Sequence, residues 1–171
     1  MMSPYRLFSN CTGSAAAELA LVTPLLLVIL AGTFEVGNYF RSEHLVQKAV
    51  RDAARYAARL PMTNYPSCTP TSTAEQQIRR VAKAGDPDGD YDNNGTQDQR
   101  LPGWTADNQV TVSMSCDTSG TYTGIYSDFP GGAPKVTVSA HVPYDTFFGT
   151  LGLGTATIYL NATSQAAVIG A

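Results

Sequence analysis

Charge is what this sequence has least of. Charged residues make up 15% of its 171 positions, against about a quarter in an average soluble domain. Lys and Arg number 11 against 14 Asp and Glu, a net charge of −3. That balance builds no basic surface able to neutralise phosphates, so no nucleic acid is expected as a partner. Catalytic residues are as sparse. His44 and His141 have no flanking acid or cysteine in a recognisable arrangement, and no GxSxG, P-loop or HExxH pattern occurs. The expectation is that the chain is not an enzyme. Residues 1–13 also lack the apolar core of about 7–15 residues that marks a secretory signal peptide. Targeting must therefore come from the residues after Glu18.

Those residues form a long apolar run. Between Glu18 and Glu35 there is no charge, and from Leu19 to Phe34 the only polar side chains are the hydroxyls of Thr23 and Thr33. A helix from Leu19 to Phe40 rises about 33 Å, enough to cross a hydrocarbon core of about 30 Å. Pro24 falls in the first third of the span, where it removes one backbone hydrogen bond and kinks the helix, a defect that lipid tolerates. Gly32 and Gly37 are spaced five apart, so they form no GxxxG face.

Glu18 sits at the mouth of this run, four residues after Ser14, where an ordinary anchor has no use for an acid. A cut between Gly13 and Ser14 would create a new amine one helical turn from Glu18 and opposite in charge. In a bundle of such helices the carboxylate could meet a neighbour's amine, and in low dielectric that pairing would set register.

The stretch Gly13-Ser14-Ala15-Ala16-Ala17-Glu18 resembles the prepilin peptidase site of type IV prepilins. Its continuation through Pro24, Glu35, Gly37 and Arg51-Asp52-Ala53-Ala54-Arg55-Tyr56-Ala57 resembles the TadE-like minor pilins of the tight-adherence (Tad/Flp, type IVb) pilus system. The resemblance implies a prepilin leader over 1–13, a transmembrane helix over 14–40 and an extracytoplasmic pilin-like domain over 41–171. It implies subunit-assembly roles for Glu18, Pro24 and Glu35. The partners it implies are a prepilin peptidase, other pilin subunits, Tad inner-membrane assembly proteins and membrane lipid. The implied location is the bacterial inner membrane, single-pass, with the carboxyl-terminal domain in the periplasm or in a surface pilus serving adhesion. Basic residues stand on both sides of the span, Arg6 before it and Arg41, Lys48, Arg51 and Arg55 after it. A positive-inside count favours the opposite orientation, and the resemblance decides for the outside. A type II secretion pseudopilin shares the cleavage logic and is the nearest alternative within this class.

Beyond the span, Leu45, Val46, Ala49, Val50, Ala53, Ala57 and Leu60 recur every three or four residues up to Pro61, which predicts an amphipathic helix continuing the first. Its alanine-rich stripe should lie on the domain, with Arg51, Arg55 and Arg59 on a solvated face. Ser72-Thr73-Ala74-Glu75 has a capping-box pattern with Ser72 as N-cap, and the short helix it opens should end at Gly85. Val110, Val112 and Met114, then Val136 to Val142, then Ile158, Leu160 and Ala162 alternate with polar residues. These are three strands of a small antiparallel sheet, so the fold class is α+β, a long amino-terminal helix packed on a pilin-like sheet. Phe147, Phe148, Leu151 and Leu153 read as a turn of helix closing the sheet edge. The connection 117–134, with Tyr122, Tyr126 and Phe129, is either a sticky exposed loop or one tucked onto the sheet.

Two further features carry chemistry. Processing would remove Cys11 and leave Cys68 and Cys116, which either pair as a disulfide or stand as two buried thiols. In the acidic stretch 86–98, Asp90, Asp92, Asn94, Gly95, Thr96 and Asp98 take the first, third, fifth, sixth, seventh and ninth positions of a calcium loop. The twelfth position holds Leu101 instead of an acid. A solvated Asp/Asn/Gly turn produces the same composition, so Ca2+ is a possible cofactor. From it comes the reading that competes with the pilus, a signal-anchored calcium-binding adhesin.

Overall fold

The computed structural model describes residues 12–90, 96–120, 122–127, 129, 132–150, 152 and 157–170. Helix α1 covers Thr12–Arg59, 48 residues, with Pro24 inside it. It contributes to two compact units, one ending at Asn38 and the other beginning at Tyr39.

Among its described residues the first unit is helix alone. Its leucines, valines and Phe34 are exposed, and its most apolar 18-residue window has a mean hydropathy of 2.2 with none of it buried. This helix is long and apolar enough to cross a membrane. The two hydroxyls within it satisfy themselves, Thr23 donating to Leu19 O at 2.7 Å and Thr33 to Leu30 O at 2.8 Å. Such back-bonding lets a hydroxyl sit in an apolar medium without a water partner.

The second unit is α+β. Strands β1 (Val110–Asp117), β2 (Ala133–Tyr144) and β3 (Ile158–Ala167) form an antiparallel sheet in the order β1-β2-β3. Thr111, Ser139 and Thr163 stand in one row across it, and Ser139 and Thr163 share a hydrogen bond of 3.0 Å. On the opposite face Val110, Val112, Val136, Val138, Ala140, Val142 and Leu160 are buried. They share one core with Val46, Ala49, Val50, Ala53, Ala54 and Ala57 of α1. Four of those six helix residues are alanines, whose short side chains let the helix approach the sheet closely. Ile158 departs from the expected alternation: it is exposed, because it is the first residue of β3 and lies opposite Tyr144 at the far end of β2.

Helix α2 covers Ser72–Lys83 and buries Ala74, Ile78, Val81 and Ala82. Its cap differs from the capping box expected on Ser72. Thr71 is the N-cap, its Oγ1 accepting from Ala74 N at 3.3 Å. Glu75 does not reach back but pairs with Arg79 one turn ahead at 2.5 Å. The end is as expected: Gly85, at φ 98°, donates to Val81 O at 3.0 Å, the left-handed stop that a side chain would strain. A last short helix, α3, covers Phe147–Thr150; Leu151 and Leu153 lie outside the described residues.

The carboxyl end of α1 leaves carbonyls without helical partners, and three segments answer them. Leu60 N donates to Ala57 O at 3.3 Å and Ile169 N to Ala58 O at 2.9 Å. The buried Tyr65 hydroxyl donates to Ala57 O at 2.5 Å. Cys68 and Cys116 are joined in a disulfide, S–S 2.00 Å, which ties the turn Pro66–Cys68 to β1.

Candidate functional site

Gly13 and Ser14 lie in the first turn of α1. Glu18 follows Ser14 by four residues, about one helical turn, and Glu18 is exposed. The charge-free run closes at Glu35, which is half-buried. Seventeen helical steps separate the two carboxylates, roughly 26 Å of rise, so they bracket a stretch close to the thickness of a hydrocarbon core. Pro24 lies between them. That spacing brings an acid to each end of the apolar rod, while the Gly13–Ser14 peptide bond sits one turn outside it.

Arg51 to Ala57 divides cleanly by side chain. Ala53, Ala54 and Ala57 are buried against the sheet. Asp52 pairs with Arg100 at 3.1 Å, and the Arg100 guanidinium covers Gly85, where a Cβ would have to push it aside. Tyr56 Oη donates to Gln77 Oε1 at 3.4 Å. Its phenol is pushed above the ordinary range first by burial and then by the carboxylates of Asp88 and Asp86. Arg51, Arg55 and Arg59 face solvent, as their spacing predicts.

Of the calcium-loop candidates, Asp92 and Asn94 lie outside the described residues, as does Gly95. Asp90 is half-buried, Thr96 exposed and Asp98 half-buried. The loop is closed at its base by Asp98 N donating to Gly89 O at 2.9 Å. Leu101, at the twelfth position, is buried in the core. Among the described residues no group of three or more His, Cys, Asp or Glu could hold a metal ion.

Around the 117–134 connection, the Asp117 carboxylate accepts from Ser119 N at 2.9 Å and Ser119 Oγ at 2.6 Å. Those two bonds, with one from the Tyr122 hydroxyl, hold its pKa down to about 2, and the bond to Asp117 pushes the Tyr122 phenol up. Tyr122 and Tyr126 meet edge to face at 6.4 Å, while Phe129 packs against the core. The described part of the loop therefore divides between the two readings: Phe129 is tucked onto the core, while the half-buried Tyr122 and Tyr126 pack on each other. His141 is exposed, stacked on Tyr159 at 4.1 Å and bonded to Asn161 Oδ1 at 2.6 Å.

Three residues that no sequence pattern singles out matter for the architecture. Trp104 and Tyr65 are the largest fully buried side chains, and Arg100 is the cation that Asp52 meets. A lone tryptophan in a Pro- and Gly-containing stretch was the one signal that could have pointed to them.

Residues 13–55 match the family model of TadE-like proteins. No curated protein and no solved structure matches the chain.

Proposed function

We propose, from the TadE-like match over residues 13–55, that this chain is a minor pilin or pseudopilin of a Tad pilus system, trimmed by a prepilin peptidase between Gly13 and Ser14. The family ties the chain to Tad pilus systems. The finer reading rests on one observation: the match opens at Gly13, the residue on the amino side of the proposed cut, and runs along α1 past Asp52. Trimming would leave Ser14 as a free amine at the tip of the apolar helix, with Glu18 one turn along. Packed beside a second such helix, the carboxylate and the neighbour's amine neutralise one another where lipid would penalise either charge alone. Glu35 and Pro24 then shape the contact between helices, and the second unit stands in the periplasm or on the fibre. Mass spectrometry of the protein from cells expressing the peptidase should find Ser14 at the amino end. A mature chain that still begins at Met1 contradicts the reading.

We infer a second reading from the acidic loop's sequence pattern, and the bond between Asp98 N and Gly89 O closes the base of that loop. The residues that would hold a calcium ion are Asp90, Asp92, Asn94, Thr96 and Asp98. With no acid at the twelfth position the affinity would be weak, in the range of extracellular modules, roughly 10⁻⁴–10⁻³ M. Thermal unfolding in millimolar calcium and in chelator tests it. Calcium binding raises the midpoint, and Asp90→Ala removes the shift; equal midpoints in the two solutions leave an adhesin reading without its main support.

A further inference from the structure

The sheet has two edges, and they are not alike. Helix α2 and the turn Pro66–Cys68 come within 8 Å of β1, Cα to Cα, and the Cys68–Cys116 bridge fastens that turn to it. β3 pairs with β2 alone, and among the described residues no backbone group outside the sheet bonds to it. Its 10 residues contain no charge and no proline, the devices that normally stop an edge from pairing. Its core-facing Ala162, Ser164 and Ala166 stay half-exposed, whereas Val136, Val138, Ala140 and Val142 of β2 are buried. Beyond the buried Leu160, the core face is thus less well covered along β3 than along β2.

The open edge also has a second wall. Gln47 and Arg51 of α1, with Asn161, Ala162 and Thr163 of β3, enclose a cleft of about 250 Å³. Arg51 is exposed, and its bond is to an uncharged amide, Gln47 Oε1 at 3.4 Å. No carboxylate among the described residues pairs with it. Pairing β3 with the β3 of a second copy would supply no acid, since that strand carries none. An extended acidic segment satisfies both walls at once, main chain to β3 and carboxylate to guanidinium.

We infer that the outer edge of β3 and Arg51 form a docking groove for an extended, acidic segment of another protein, which adds beside β3 as the next strand of the sheet. The inference uses the second unit alone, so it stands or falls separately from trimming and pilus assembly. The probe is a short synthetic peptide of alternating Thr and Val with a central Glu, compared with a twin carrying Lys there. Both are titrated into the full chain in detergent micelles, with amide hydrogen exchange followed along β3. The Glu peptide should slow exchange of β3 amides and bind about tenfold more tightly than the Lys twin. Arg51→Glu should reverse that preference, and Arg55→Glu, one turn along α1, should leave it unchanged. Equal binding of the two peptides, no protection at β3, or a preference that survives Arg51→Glu overturns the proposal.

Discussion

Tyr65 shows how one side chain can finish a helix from outside it. Its hydroxyl donates to Ala57 O, a carbonyl in the last turn of α1, while its ring is fully buried. Burial pushes the phenol well above its ordinary range. A folded pKa above the unfolded value means that the contribution is whole below about pH 10. It is lost as pH rises further, because the unfolded chain ionises first. Tyr65→Phe should therefore cost about 1–2 kcal/mol at neutral pH and flatten the alkaline limb of stability against pH, measured by urea unfolding at a series of pH values. An alkaline limb as steep in the variant as in the parent would assign that loss to other groups. Neither Tyr65 nor Trp104 was legible as core, since each sits in a turn-rich stretch without the periodicity that reveals burial. The alanines of α1 were legible because they repeat at helical spacing.

Elements were easier to read than residues. The strands showed themselves by alternation, and the amphipathic part of α1 by a stripe that Pro61 ends. What stayed hidden was local competition. Thr71 and Ser72 are adjacent and both suit an N-cap, and nothing in the sequence decides between them. With Thr71 chosen, Glu75 lies one position too far along for a capping box and pairs with Arg79 instead. The disulfide was one of two readings, and packing settles it: the turn Pro66–Cys68 lies beside β1, with the two Cα atoms 6.0 Å apart. It spans 48 residues, for which the chain-entropy model gives about 4 kcal/mol. Replacing Cys68 and Cys116 together by serine should lower unfolding stability by about 2–4 kcal/mol. Chemical denaturation of parent and double variant measures it, and equal midpoints would show that the core holds this turn unaided.

For the whole molecule, an apolar helix and a small α+β unit share one 48-residue element. Net charge, cysteine pairing and the absence of catalytic patterns bounded the function without naming it; the stretch from Gly13 to Glu18 did most to narrow it, because a carboxylate at the end of a lipid-length run needs a reason. The edge of β3, unpaired among the described residues, was invisible in sequence, since only the fold shows which strand lies outermost. Assembly as proposed depends above all on Glu18, which we assign to meet the trimmed amine of an adjoining subunit. Its most direct test is to count surface fibres on cells lacking this chain, complemented with the parent or with Glu18→Ala at equal membrane levels. Glu18→Ala should give few or no fibres, with its amino end still trimmed to Ser14. Fibres of normal number and length would contradict the assignment.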